Sequence, residues 1–281
     1  VAEAYTDEKL KNTIELPYIA ASLAVTIIAL LISIAFYFAY FRFPSTGVRD
    51  AVGLSSVIFW VGLWVLLGHS LFRPALKTFV DATKTRLGIA VFLAYVSAHL
   101  VLYGFLLEEI FALTLNISTT VVSPVFFLTS NLVAPQSFLN ALVTISFSPS
   151  VALSLGQVFG VELSVYNFFT ATLIGSLVVA NAEQLKHLSN RCSSKLRAKT
   201  YVGIPLLGIF LGASCCMSPP ILLALVLPAG TLGSVLSKSV ATTYVTYYFF
   251  PALAAFLLYY SFRGTNRLLE VLDGSTTKRS R

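Results

Sequence analysis

Charged residues make up only 11% of this 281-residue chain, against 57% hydrophobic ones. A water-soluble domain carries about 25% charged residues, so a chain this poor in charge cannot clothe its own surface in water. Cysteine is also scarce: Cys192, Cys215 and Cys216 are the full set, an odd number with two adjacent. A vicinal pair closes a disulfide ring only under strain, which excludes a disulfide framework. No H-E-x-x-H, P-loop or C-x-x-C occurs, which removes the commonest zinc-protease, nucleotide and dithiol signatures. Gly212-Ala213-Ser214 has the start of an intramembrane serine-protease elbow, but Cys215 stands where a glycine is needed and no histidine follows to act as base. The span interiors carry no unambiguous carboxylate or cation, which weighs against a proton-coupled carrier but leaves a facilitator open.

What is abundant is long apolar runs. Mean hydropathy is +0.83. Several windows of 20 or more residues lack Asp, Glu, Lys and Arg, long enough for a helix to cross ~30 Å of hydrocarbon. The pattern predicts an all-α, polytopic transmembrane helix bundle. Residues 1–16 read as a polar N-terminal segment that could form a surface helix, 17–262 as one transmembrane helical domain, and 263–281 as a basic tail frayed at its end. No cleavable leader is legible, because the first apolar segment is too long for an h-region.

Six spans are clear: Pro17–Phe41, with proline at the helix start, Ala51–Phe72, Leu87–Leu107, Leu163–Ala182, Thr200–Leu227 and Ala241–Phe262. Tyrosines near both ends of the last span suit the two interfaces. Between the third and fourth of these, residues 118–160 are apolar but interrupted by Pro124, Pro135 and Pro149. They read either as two further spans or as a re-entrant pair shielded by protein. That makes about eight membrane passages. With the N-terminus inside, 16 of the 19 Lys and Arg residues fall on the inner side, whereas seven spans with the N-terminus outside leave 12 there. The positive-inside rule therefore gives N-in/C-in, with loops 73–86 and 183–199 and the C-terminus cytoplasmic in a plasma-membrane protein. The net charge of +7 then belongs to topogenic loops and anionic lipid. With no basic-aromatic array, nucleic acid is rejected as a partner. The sequon Asn116-Ile117-Ser118 falls outside, a glycosylation candidate close to the membrane.

One stretch stands out, Gly208 to Pro228. It holds Cys215 and Cys216, the sole methionine Met217, Ser214 and Ser218, and the pair Pro219-Pro220. The two prolines free the carbonyls of Cys215 and Cys216, making a broken-helix site at Ser214, Ser218, Pro219 and Pro220. A similar Ser-Pro start at Ser123-Pro124 hints at paired broken helices in inverted halves. Cys215 falls about 22 Å and His99 about 18 Å from the inner boundary by helix rise. Cys215, Cys216, Met217 and His99 are soft or borderline ligands, so copper is the metal they would suit. The competing reading is packing: Gly208, Gly212 and Cys215 or Cys216 form one small-residue ridge for close helix contact, and residue frequencies favour it. Haem is not expected, since His69 and His99 differ in depth by about 14 Å. No other cofactor is expected.

These observations lead to an expectation of a non-catalytic integral subunit of a larger membrane assembly, respiratory, electron-transferring or transport-related, with other membrane subunits and the lipid bilayer as partners. The alternatives are a small permease for a metal ion or weakly charged solute working through Cys215–Pro220, and a thiol-redox or copper-handling membrane protein.

Overall fold

The computed structural model describes residues 2–102, 125–129, 141–142, 145–146, 148–154, 160–191 and 248–279. Most of these are helical. Three helices are long and apolar enough to cross a membrane, over Pro17–Arg42, Thr46–His69 and Val165–Ser189. The chain divides into two compact units.

The first unit is built on α1 (Ala2–Arg42) and α2 (Thr46–His69). Pro17 lies inside α1 and does not start it, a correction to the sequence expectation. Ala, Glu, Lys and Leu before it are good helix formers, so the helix continues and forgoes the one hydrogen bond that proline cannot donate. Phe43, Pro44 and Ser45 make the turn to α2, and the Ser45 hydroxyl accepts from the Val48 N–H at 3.3 Å as an N-cap. A turn this short forces an antiparallel hairpin. Thr26, Ala29, Ser33 and Tyr37 form the buried stripe of α1, at the 3–4-residue spacing of one helix face. On α2 Val52, Gly53, Ser55, Ser56 and Trp60 are buried, and Ser55 is the one bonded to this stripe.

Close approach is set by small residues and hydroxyls. A Cβ on Gly62 would lie 2.7 Å from the Thr26 Oγ1, so any larger residue must displace that hydroxyl. Ser22 donates to the Gly62 carbonyl at 3.3 Å. Ser33 donates to Ser55 at 2.8 Å, and Ser55 passes its own proton to the Ala51 carbonyl at 2.7 Å. Ser56 donates to the Ile145 carbonyl at 2.9 Å, and Ile145 with Ala141 completes an apolar knot around Tyr37 and Val52. Trp60 lies 4.9 Å, ring to ring, from both Tyr166 and Phe169, so this tryptophan is a packing residue.

In the second unit, α3 (Arg73–Ala82) is a short helix where the sequence suggested only a loop. It leads into α4 (Arg86–Ser97), which ends in a π-helical turn at Ala98–Leu102. Thr85 is the knot between them: its hydroxyl donates to the Ala82 carbonyl at 2.8 Å and accepts from the Gly88 N–H at 3.1 Å. A Cβ on Gly88 would collide with the Ala82 carbonyl, hence the glycine. Three strands, β1 (Val125–Thr129), β2 (Ser150–Ser154) and β3 (Gly160–Ser164), form a sheet in the order β1-β2-β3. The helical expectation holds for most of the described residues, and these three strands depart from it within 118–164. Segments such as V-F-F-L-T and S-V-A-L-S are short and rich in β-branched, aromatic and serine residues, so apolarity alone did not make them helix.

The long helix α5 (Val165–Arg191) does not stop at Ala182; it carries Glu183, Lys186 and His187 on its last turns, bound by an i,i+3 ion pair. The last helix, α6 (Phe250–Arg279), likewise runs through residues expected to form a frayed tail. Gly175 of α5 is the close-contact point for α4: a Cβ there would sit 3.0 Å from the Tyr95 ring and 3.2 Å from that of Phe92.

Candidate functional site

Polar side chains inside apolar helices are where chemistry or specificity is to be sought, because each must find a partner away from water. In the second unit they form two groups.

The first is Tyr95 and His99. Their i,i+4 spacing places both on one face of the helix, and the Tyr95 hydroxyl lies 3.1 Å from the His99 Nδ1. His99 is fully buried, within the π-helical turn. Such turns widen the helix by one residue and recur at functional sites. In one tautomer the phenol donates to Nδ1; in the other Nδ1–H donates to the phenol oxygen. Either way this ring nitrogen is oriented by a neutral partner.

The second group lies on α5 and α6. The Asn181 amide nitrogen donates to the Leu177 carbonyl at 2.8 Å on its own helix and to the Leu258 carbonyl at 2.9 Å on α6. Gln184, one turn on, donates to the Asn266 Oδ1 at 3.4 Å, and Asn266 donates to the Glu270 Oε1 at 2.9 Å. The sense of this relay is forced. Ionised Glu270 only accepts, so Asn266 must turn its amide nitrogen to it and its oxygen to Gln184. Gln184 must then present nitrogen to Asn266 and point its oxygen away. Asn181 is fixed in the same sense by two carbonyls, neither of which can donate. The consequence is two buried amide oxygens, Asn181 Oδ1 and Gln184 Oε1, that meet no donor. An unmatched buried acceptor costs about 1–3 kcal/mol, so this seam is polar but strained.

Of the residues singled out from sequence, only His99 falls among those described. Asn116, Ser214, Cys215, Cys216, Met217, Ser218, Pro219 and Pro220 lie outside the described residues. Among the described residues, no group of three or more His, Cys, Asp or Glu side chains is placed to hold a metal ion. His69 is exposed at the end of α2, its Nδ1 3.1 Å from the Val65 carbonyl. Asn181, Gln184 and Tyr95 were missed. Their signal was partly present: an amide at 181 near the end of an apolar span, a second amide one turn on at 184, and a tyrosine four residues before His99.

Compared with protein-family models, curated proteins and solved structures, the chain finds no match.

Proposed function

We propose that the chain is an integral membrane, non-catalytic subunit that packs into a larger membrane assembly, of a respiratory, electron-transferring or transport kind. The observation that carries this reading is the chemistry of what the described helices bury. Their buried polar side chains are hydroxyls, amides and one imidazole, with no carboxylate, lysine or arginine among the described residues. Groups of this kind join helices and set their register, and none of them carries a fixed charge. The uncovered side of α1 supplies a surface for partners. In its most apolar window 17% of residues are buried within the chain, against 67% in α5, and Leu23, Ile27, Ile28 and Leu31 point outward.

With this reading go about eight membrane passages, both termini and loops 73–86 and 183–199 on the cytoplasmic side, and a place in the plasma membrane. A photo-reactive amino acid at Ile28, an exposed position, tests it in native membranes. The expected product is a covalent adduct with another membrane protein, and native mass measurement in mild detergent should show a matching assembly. Adducts with lipid alone, together with a lone monomer in detergent, would overturn the proposal.

A further inference from the structure

The α3–α4 corner combines three properties that no helix-packing role requires. The exposed face of α3 is centred on Lys77 and flanked by Val80 and Asp81, while Ala75 and Ala82 are buried beneath it. The Phe79 ring packs 5.1 Å from that of Phe92, so the helix is pinned against α4 with its cationic face outward. Lys84 is paired with Asp81 at 2.6 Å, and the Lys77 charge acts on the same carboxylate more weakly; Lys77 and Arg86 are exposed and make no hydrogen bond or ion pair among the described residues. The same two helices also expose large apolar side chains: Val80 on α3, and Leu87 and Ile89 on the opening turn of the apolar helix α4.

Cations at the mouth of an apolar helix, with uncovered aliphatic side chains on the same two helices, match a molecule with an anionic head and an apolar body. We propose that the segment from Pro74 to Ile89 is a docking surface for anionic phospholipid. Lys77 and Arg86 hold the phosphodiester, and Val80, Leu87 and Ile89 lie along the first carbons of the acyl chains. A basic residue at a membrane surface contributes about a fivefold gain for anionic lipid, so the pair amounts to about thirtyfold at low ionic strength, shrinking with salt. Asp81 sets the ceiling by occupying Lys84. The proposal rests on the membrane reading and is independent of whether the chain belongs to a larger assembly.

The test uses the full chain in nanodiscs of phosphatidylcholine with a minority of phosphatidylglycerol, followed by detergent release and native mass spectrometry of retained lipid. The wild type is expected to keep phosphatidylglycerol preferentially. Lys77→Gln with Arg86→Gln should lose most of that preference while phosphatidylcholine retention stays unchanged. Asp81→Asn, which frees Lys84, should raise retention of phosphatidylglycerol, and this arm stands even where the double variant folds poorly. Lys186→Gln, which removes a cation already paired with Glu183, should change nothing. Equal retention in the double variant and the wild type, or no gain in Asp81→Asn, would overturn the proposal. So would displacement of the retained lipid by inorganic phosphate or by a soluble acidic peptide, since either would mean a surface facing solution and not lipid.

Discussion

Replacing Asn181 by leucine removes two things at once, and their balance can be worked from the structure. The substitution deletes the donor that reaches the Leu258 carbonyl on α6 at 2.9 Å. Interhelical hydrogen bonds of this kind in membrane proteins contribute about 0.6 kcal/mol on average and about 1.7 at most. It also deletes the buried Oδ1 that meets no donor, a relief of about 1–3 kcal/mol. Leucine is somewhat larger than asparagine, and crowding costs about 1–3 kcal/mol in a tight site. The net change for Asn181→Leu is therefore small, within about 1 kcal/mol of the wild type. Asn181→Asp is the contrasting probe, since an ionised carboxylate would face two carbonyl oxygens with no donor. A buried unpaired charge costs about 3–5 kcal/mol, so this variant should be severely destabilised at neutral pH. SDS titration in mixed micelles, followed by far-ultraviolet circular dichroism, measures all three proteins. A loss of more than about 2 kcal/mol in Asn181→Leu would refute the reasoning, because it would mean that Oδ1 holds a partner of real strength.

Other consequences follow from single contacts. Gly62→Ala should push α1 and α2 apart and cost about 1–3 kcal/mol in the same titration, with Thr26→Ala restoring most of it by removing the hydroxyl in the way. Ser33→Ala and Ser55→Ala should show a coupling of about 0.6 kcal/mol in a double-mutant cycle, with coupling near zero meaning that their hydrogen bond adds nothing. Gly88→Ala meets a backbone carbonyl that no rotamer change can clear, so trypsin should cut at Lys84 markedly faster than in the wild type. The Lys84 ammonium, by hydrogen bond first and charge second, holds the Asp81 carboxyl below the ordinary carboxylate range. What this pair contributes is then present above pH ~3.9 and is lost only as pH falls through the lower folded value, with no change between pH 5 and 8. Carboxyl-carbon NMR of labelled aspartate, with Asp81→Asn for assignment, checks this.

The α1–α2 hairpin was largely legible: two charge-free runs of the right length, Pro17–Phe41 and Ala51–Phe72, flank a short connection. Charge and proline were weaker guides elsewhere. Glu183, Lys186 and His187 looked like a loop because they are charged, yet i,i+3 and i,i+4 pairing lets them continue α5. Pro17 looked like a boundary because proline often starts helices, but one lost hydrogen bond does not end a helix with strong formers on both sides. In 125–164 the run lengths fit both helix and strand, and apolarity does not distinguish them. Of the candidate site, His99 was marked as a metal ligand from its residue type, while its Tyr95 partner could be read only from the helical spacing. The amide seam escaped notice because its meaning is directional: Asn181 is turned by two carbonyls, and Gln184 through Asn266 by Glu270, on a different helix and 86 residues from Gln184.

That direction makes Glu270 more than a surface anion. An amide chain with no fixed end has two equivalent senses, and nothing in its own bonding prefers either. The carboxylate breaks the tie, so a group exposed at the rim of α6 dictates which atom Gln184 turns toward the interior. Glu270→Gln would leave the fold its hydrogen-bonding partners yet take away the sense of the chain, and both senses would then be populated. In the wild type Asn266 and Gln184 hold one polarity, written from the rim of α6 by a single charge.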